Sequence, residues 1–367
     1  MYKNFSIHPF ILSWLLICVA LLDAKAQHVL PVSAQSHLLG VTSYPGFLIA
    51  HREDSKNLEA HTLGIELSYK RKIVNESWAT PYKDPTLTYG LMYMDLGQPE
   101  LTGKVFAFLA GFETSIVRWN KSQLRFKGAT GIGYLTRTFD VYVNRRNQAI
   151  GSHFNGAMQL MFTYQRNVGN KGVLEAGFGI THFSNGSFRV PNLGVNMPSL
   201  TLGYHLKKWD APSNFQKDTL PIMPWQIYGC YAFKERSLIK PTGFNVFNLG
   251  ITRILARTHS KNWRLGAEVF TDKTHFFIDH PDDDLSGIGL LKMLEFGVYG
   301  GHQWQLGQMF FKTDLGFYLY KPSSHKFFTY QRLGMSYFIS PKVFLQANLK
   351  THFGIADHFT WGIGMQL

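Results

Sequence analysis

The sequence is poor in cysteine, which has only two positions in 367 residues. Cys18 lies in an N-terminal segment that we expect to be removed, so Cys230 is left alone. A single cysteine excludes an internal disulfide and a cysteine-based metal site. We therefore expect Cys230 to be a buried or lipid-facing small apolar side chain.

Long apolar runs are missing beyond the N-terminus. The run from Pro9 to Leu22 follows Lys3 and precedes Ala24-Lys25-Ala26, which is the pattern of a secretory signal peptide. We predict cleavage after Ala26, which removes 26 of the 367 residues and leaves 341. A retained anchor helix is the alternative, but the run is shorter than a bilayer span. No later segment approaches the roughly 18 consecutive apolar residues of a spanning helix, which excludes a helical membrane protein.

Charged residues are scarce, at 17%, and basic residues outnumber acidic ones. Loss of two lysines and one aspartate with the signal peptide lowers the formal net charge from +13 to +12. The basic residues are scattered singly along alternating segments, without a basic helix. We therefore expect an anionic membrane surface such as lipopolysaccharide as the partner, and no nucleic acid.

The chain is rich in aromatic residues, at 15%, and contains 34 glycines at a mean hydropathy of −0.10. The aromatic content excludes a disordered chain. Strand-like segments of about ten residues recur between turn clusters, and in Val343–Thr351 apolar residues at odd positions alternate with polar ones. This pattern predicts an all-β fold, a transmembrane antiparallel β-barrel of the outer-membrane type over residues 27–367. At about 22–26 residues per strand with its turn, we expect about 14 strands, within a range of 12–16.

An acidic run, Asp279–Ser286, lies beside His275 and His280. A divalent-cation site is one interpretation, and a solvated surface loop is the other, since the ligand spacing matches no known cation loop. His352 and His358 flank a tight turn without further ligands at suitable spacing. We predict no metal and no cofactor.

Reactive side chains lie at the end of one predicted strand, Val173–Ser184. Its even positions from Leu174 to Ile180 are apolar, and His182 and Ser184 continue the same row, while Glu175 is on the other face. Because side chains alternate along a strand, the even row should meet lipid and Glu175 should point into the barrel. Residues two apart on one face are separated by about 6.5–7 Å at Cα, which lets an imidazole reach a hydroxyl. This arrangement suits attack on an ester within a lipid leaflet.

A turn follows this strand. Asn185 and Asn192 offer amide donors to a developing oxyanion, and Gly186 and Gly194 shape the turn. A serine beside a histidine indicates acyl transfer, in which the imidazole removes the hydroxyl proton. A second Ser/His/Asn cluster lies at residues 151–155, but its adjacent Ser and His would point to opposite faces of a strand. We interpret that cluster as a turn or a supporting element.

The string His182-Phe-Ser184-Asn185-Gly, followed by Pro191-Asn192-x-Gly194, resembles the signature of the PagL-like lipid A 3-O-deacylases. These are outer-membrane barrels of the acyloxyacyl hydrolase group, and this chain is similar to a larger branch of that group. The resemblance is strongest over about residues 85–205. It implies that His182 is the base and Ser184 the nucleophile that cleave an ester-linked acyl chain of lipid A.

The chain departs from the family at Asn196, where the family has the glutamate that completes its triad. An amide oxygen can accept the imidazole N–H and hold the tautomer, but it cannot stabilise imidazolium by charge. Three alternatives follow: Asn196 is a weaker orienting residue, a carboxylate arrives from another strand, or the hydrolase is impaired.

Two function classes remain. The first is a lipid A deacylase with His182, Ser184 and Asn196 as its catalytic residues and Asn185 as an oxyanion donor. The second is a non-catalytic barrel, a porin, transporter or scaffold with a vestigial motif. Chain length and Asn196 favour the second class, whereas the retained His, Ser, Asn and turn favour the first. We predict the enzyme.

Overall fold

The computed structural model describes residues 34–50, 52–74, 76–79, 81–212, 223–236, 243–256, 261–274, 289–322 and 327–367. Short 3-10 helices span Glu53–Leu58, Ser77–Ala79 and Leu290–Lys292. Among the described residues, no helix has the length and apolar character to cross a membrane. The strands in these ranges are β1 Ala34–Leu48, β2 Ala60–Lys72, β3 Thr86–Asp95, β4 Lys104–Arg118, β5 Ser122–Leu135, β6 Phe154–Val168, β7 Gly172–Ser184, β8 Val195–Pro212, β9 Trp225–Glu235, β10 Gly243–Ala256, β11 Lys261–Thr271, β12 Leu294–Leu306, β13 Met309–Tyr320, β14 Thr329–Phe338, β15 Val343–His352 and β16 Ile355–Gln366.

These strands close into two separate antiparallel barrels. In barrel 1, strands β1 to β8 pair in order and β1 returns to β8, with Thr42 opposite Gly203. In barrel 2, strands β9 to β16 pair in order and β16 returns to β9, with Ile363 opposite Gly229. The chain divides accordingly into two compact units, residues 1–185 with 191–217 and residues 186–190 with 218–367.

The predicted single barrel of about 14 strands is therefore wrong, although the all-β, antiparallel barrel class is confirmed. The 16 described strands reach the upper end of the predicted range, but they form two closed sheets of eight. Eight strands already enclose an interior that side chains can fill, so closure at β8 satisfies every edge of the first sheet. The spacing of strand-like segments predicts how many strands there are, but not which strand pairs with β1.

The outer wall of barrel 1 is apolar, and β7 has the predicted parity. Leu174 and Phe178 face outward, and Phe178 is 59% exposed. Glu175, on the other face, is 5% exposed and lies inside the barrel. On the neighbouring β8, Leu200 is 67% exposed. Outward apolar and inward polar side chains are the pattern of a barrel surrounded by lipid.

Ion pairs occupy the interior of barrel 1. The Lys70 ammonium pairs with Glu113 at 2.9 Å and with Glu175 at 2.7 Å, and Lys127 pairs with Glu66 at 2.9 Å. A polar cavity of about 460 Å³ lies beside Lys70 and Glu113. Because these charges are buried, each depends on its partner.

Barrel 2 has its own buried polar network. The Glu268 carboxylate pairs with Arg332 and accepts a hydrogen bond from the Tyr330 hydroxyl at 2.6 Å. Cys230 is buried, which confirms the first of the two alternatives predicted for it. Its sulfur accepts a hydrogen bond from Gln346 Nε2 at 3.0 Å. The interior of this barrel is therefore also occupied by side chains.

In barrel 1, the connections after β1, β3, β5 and β7 share one end, since consecutive strands are antiparallel. They comprise residues 49–59, 96–103, 136–153 and 185–194, and we call this the long-loop end. The opposite end has the tight turns 119–121 and 169–171 and one longer connection, residues 73–85. His182 and Ser184 lie at the long-loop end because β7 ends at Ser184.

Candidate active site

The imidazole of His182 is held by Asn196 on the adjacent strand. The two residues lie directly opposite each other in the pairing of β7 with β8, and His182 Nδ1 is 2.7 Å from Asn196 Oδ1. An amide oxygen only accepts, so this contact assigns the hydrogen to Nδ1. The other ring nitrogen, Nε2, then carries the lone pair that a general base requires.

Ser184 is two residues beyond His182 and ends the same outward row that contains Phe178. Both His182 and Ser184 are half-buried. Opposite Ser184, on β6, is Gly156, which has no side chain to cover the hydroxyl. The strand therefore places the predicted nucleophile and base on one face, at the edge of the apolar wall.

Gly194 makes room for the histidine ring. Its φ is +81°, in the left-handed region that favours glycine, and its N–H donates to the Ala149 carbonyl at 3.0 Å. A Cβ at this position would lie 2.6 Å from Cε1 of His182. Both the backbone conformation and the packing therefore require glycine at this point of the turn.

The amide side chains of Asn185 and Asn192 have different partners. Asn192 Oδ1 accepts the backbone N–H of Asn185 at 2.9 Å. Asn185 is fully buried, and its Nδ2 donates to the Ser152 hydroxyl at 2.8 Å. Within the described residues, Asn192 Nδ2 is buried and has no hydrogen-bond partner. Of the two predicted donors, the Asn192 amide nitrogen is therefore the one without a partner in this part of the structure.

The second Ser/His/Asn cluster is confirmed as a supporting element. The Ser152 hydroxyl accepts from Asn185 and donates to Asn155 Oδ1 at 3.2 Å. The His153 ring bonds instead to the Leu135 carbonyl through Nδ1, at 2.7 Å. The loop from β5 to β6 thus braces the turn that follows Ser184. Sequence spacing cannot find this contact, because Asn185 is 33 residues from Ser152.

Barrel 2 contains a buried group that joins His358 to two aspartates, which its sequence spacing does not reveal. Ligand atoms of Asp272, Asp357 and His358 lie within 4.8 Å of one another. The ammonium of Lys234 already lies between the carboxylates, 2.6 Å from Asp272 and 2.8 Å from Asp357. The positive charge of this ammonium would repel a metal ion at the same place. We therefore assign the group to an ion-pair cluster. The acidic run 279–286 and the histidines at 275 and 280 lie outside the described residues.

Two protein-family models match the chain. Residues 63–205 match the lipid A 3-O-deacylase (PagL) model, and residues 223–367 match the acyloxyacyl hydrolase C-terminal domain model. The first match lies within barrel 1 and contains the His182–Asn196 pair, and the second covers barrel 2.

No curated protein sequence matches the chain. Among solved structures, Neisserial surface protein A is 12% identical and covers 47% of this chain and 97% of its own, with a TM-score of 0.34. The translocator domain of the autotransporter NalP from Neisseria meningitidis is 11% identical and covers 90% of this chain and 88% of its own, with a TM-score of 0.20. These TM-scores are too low to bear on fold or function.

Proposed function

Because the chain belongs to the lipid A 3-O-deacylase (PagL) family, we propose that Ser184 and His182 hydrolyse an ester-linked acyl chain of lipid A at the outer wall of barrel 1. The family is one of outer-membrane ester hydrolases, and its substrate is the lipid A of lipopolysaccharide. The observation that carries the proposed mechanism is the 2.7 Å hydrogen bond from His182 Nδ1 to Asn196.

In the proposed reaction, the Ser184 hydroxyl attacks the ester carbonyl while His182 Nε2 takes its proton. The tetrahedral intermediate collapses to an acyl-serine, and the proton passes from His182 to the departing sugar hydroxyl. Water then cleaves the acyl-serine with His182 again as the base. Asn196 holds the ring in the tautomer that both steps need.

We assign the oxyanion donor to Asn192. Its Oδ1 is held by the Asn185 backbone, which orients Nδ2, and that nitrogen is buried without a partner in the described part of the chain. A pre-oriented donor in a site of low dielectric stabilises the negative charge that develops on the carbonyl oxygen. The buried amide of Asn185 is already engaged with Ser152 and supports the turn instead.

The position of the site supports action in the outer leaflet. Outer-membrane barrels have short periplasmic turns and longer external loops, which would place the long-loop end outside. An acyl chain lying along Phe178 and Leu200 would then lead its ester toward Ser184. Export through cleavage after Ala26 is part of this proposal.

The alternative of a porin has no support in the described interiors. Ion pairs occupy the interior of barrel 1 around Lys70, beside a polar cavity of about 460 Å³, and a second network occupies the interior of barrel 2 around Glu268. Eight-stranded barrels are too narrow for a wide aqueous channel once their side chains are in place.

The test is to express the wild type and Ser184→Ala in an outer membrane and to compare lipid A by mass spectrometry. We expect the wild type alone to remove one hydroxyacyl chain. Ser122→Ala is the matched control, because Ser122 begins β5 at the end of barrel 1 that lies away from Ser184. This variant should behave as the wild type. Identical lipid A from the wild type and Ser184→Ala would overturn the proposal.

A further inference from the structure

The loop from β5 to β6 has a projecting tip, residues 141–146, which we call the tip loop. Tyr142 is 90% exposed and Val143 is 85% exposed. Arg145 and Arg146 follow and are also exposed. Two large apolar side chains and two guanidinium groups therefore project together from the long-loop end of barrel 1.

The backbone of the tip loop is held in place by hydrogen bonds. Asp140 Oδ1 accepts the N–H groups of Tyr142 at 2.8 Å and of Val143 at 3.0 Å. Asn144 is buried, and its Nδ2 donates to the carbonyls of Leu101 at 3.0 Å and Thr138 at 2.8 Å. The apolar tip is therefore presented by a fixed backbone, which lowers the entropy lost on binding.

The arginines of the tip loop have no ion-pair partner among the described residues, whereas the nearby Arg137 pairs with Glu100 at 3.2 Å. The Arg146 carbonyl accepts from Asn57 Nδ2 at 3.0 Å, which fixes the main chain and leaves the guanidinium uncommitted. Guanidinium groups bind phosphate oxygens in pairs of parallel hydrogen bonds. A tyrosine beside them suits the boundary between headgroups and acyl chains.

The same loop also braces the candidate active site. The Ala149 carbonyl accepts from the Gly194 N–H at 3.0 Å, and the Ser152 hydroxyl accepts from Asn185 Nδ2 at 2.8 Å. A ligand bound at the tip is therefore attached to the segment that positions the turn after Ser184.

We propose that the tip loop recognises the phosphorylated headgroup of the substrate lipid, with Arg145 and Arg146 on a phosphate and Tyr142 and Val143 in the interface. Its link to catalysis rests on the deacylase function proposed above. The loop holds the headgroup at the long-loop end, so that the acyl ester meets Ser184 on the outer wall.

The test compares the full chain with Arg145→Gln/Arg146→Gln in detergent micelles, using bisphosphorylated and dephosphorylated lipid A as substrates. We expect the double variant to raise KM for the bisphosphorylated lipid about tenfold, with kcat nearly unchanged. On the dephosphorylated lipid, the variant and the wild type should have equal KM. Arg118→Gln/Arg166→Gln removes two exposed arginines at the opposite end and should behave as the wild type on both.

A binding measurement separates this inference from the proposed reaction. In a Ser184→Ala chain, the affinity for bisphosphorylated lipid A should fall about tenfold when the two arginines are replaced, whether or not the wild type is an enzyme. Equal affinities with and without the arginines would overturn the inference, even if deacylation is observed. Displacement of the lipid by millimolar inorganic phosphate alone would also overturn it, because the site would then serve free phosphate.

Discussion

At the scale of single residues, the proposed mechanism makes Asn196 the residue that sets how strong a base His182 is. The Asn196 oxygen holds the same imidazole nitrogen that a carboxylate would hold, so the geometry for proton transfer is retained. What is lost is the charge that would stabilise imidazolium as the serine proton arrives. For the proposed mechanism we therefore expect a slower reaction, with the hydrogen bond between His182 and Asn196 intact.

Replacement of this asparagine should therefore change the rate in both directions. We expect Asn196→Asp to raise kcat on lipid A about tenfold or more, because it adds a negative charge at the same position. Asn196→Leu should lower kcat by roughly 10²-fold or more, because the tautomer is no longer held. Purified variants in detergent provide both rates, and Asn167→Asp at the opposite end of barrel 1 is the control. An aspartate variant no faster than the wild type would show that the missing charge does not limit the rate.

Gly194 allows a second test at this scale. Gly194→Ala adds a Cβ 2.6 Å from the His182 ring in a backbone with φ of +81°. We expect kcat to fall at least tenfold, because a displaced ring no longer reaches its partners. Gly169→Ala is the matched control, since Gly169 has φ of +60° and no atom within 4 Å of the added Cβ. Equal activity of the two variants would contradict a steric role for Gly194.

At the scale of strands, the face that each residue of β7 occupies could be predicted, because alternation is a local property. Glu175 inside and Phe178 outside follow from period 2 alone. The partners of those side chains could not be predicted in this way. Glu175 meets Lys70, 105 residues earlier, through a register set by the whole sheet. The bracing of Asn185 by Ser152 escaped sequence analysis for the same reason.

The buried ion pair between Lys70 on β2 and Glu175 on β7 should matter for stability. Glu175→Gln removes the charge that faces the Lys70 ammonium at 2.7 Å. We expect the free energy of unfolding to fall by about 2 kcal/mol, because the buried Lys70 ammonium then keeps only Glu113 as a carboxylate partner. Glu100→Gln, in the exposed pair with Arg137, should leave the free energy of unfolding unchanged within error. Urea unfolding in lipid vesicles measures both, and equal values for the two variants would refute the assignment.

At the scale of the whole molecule, membership of the barrel class could be predicted and the number of barrels could not. Composition and alternation indicate which side of each strand faces lipid and which faces the barrel interior. Because the strands of both barrels have these same two surroundings, the two barrels look alike in sequence. The decisive fact is that β1 pairs with β8, which depends on contacts such as Thr42 with Gly203. No sequence pattern near Thr42 or Gly203 indicates that β1 pairs with β8.

Independent closure predicts that the first barrel folds by itself. A chain of residues 1–217 contains all eight strands of barrel 1 and should give a folded species that migrates differently before and after heating on a gel. A chain that stops at Asn185 lacks β8, so β1 and β7 keep unpaired edges and we expect aggregation. If the longer fragment also aggregates, the closed sheet does not suffice for folding.

The pairing of the last strand of each barrel with its first strand also affects the order in which strand pairs form during folding. Hairpins such as Val168 with Gly172 close over four residues, whereas Thr42 must find Gly203 and Gly229 must find Ile363. Contacts between residues so distant in sequence form slowly, because the entropy of the intervening chain is lost before they contribute. We therefore expect folding to pass through two late closing steps. Substitutions at these seams would prolong the time for which the nascent protein depends on chaperones, even where the finished enzyme is unaltered.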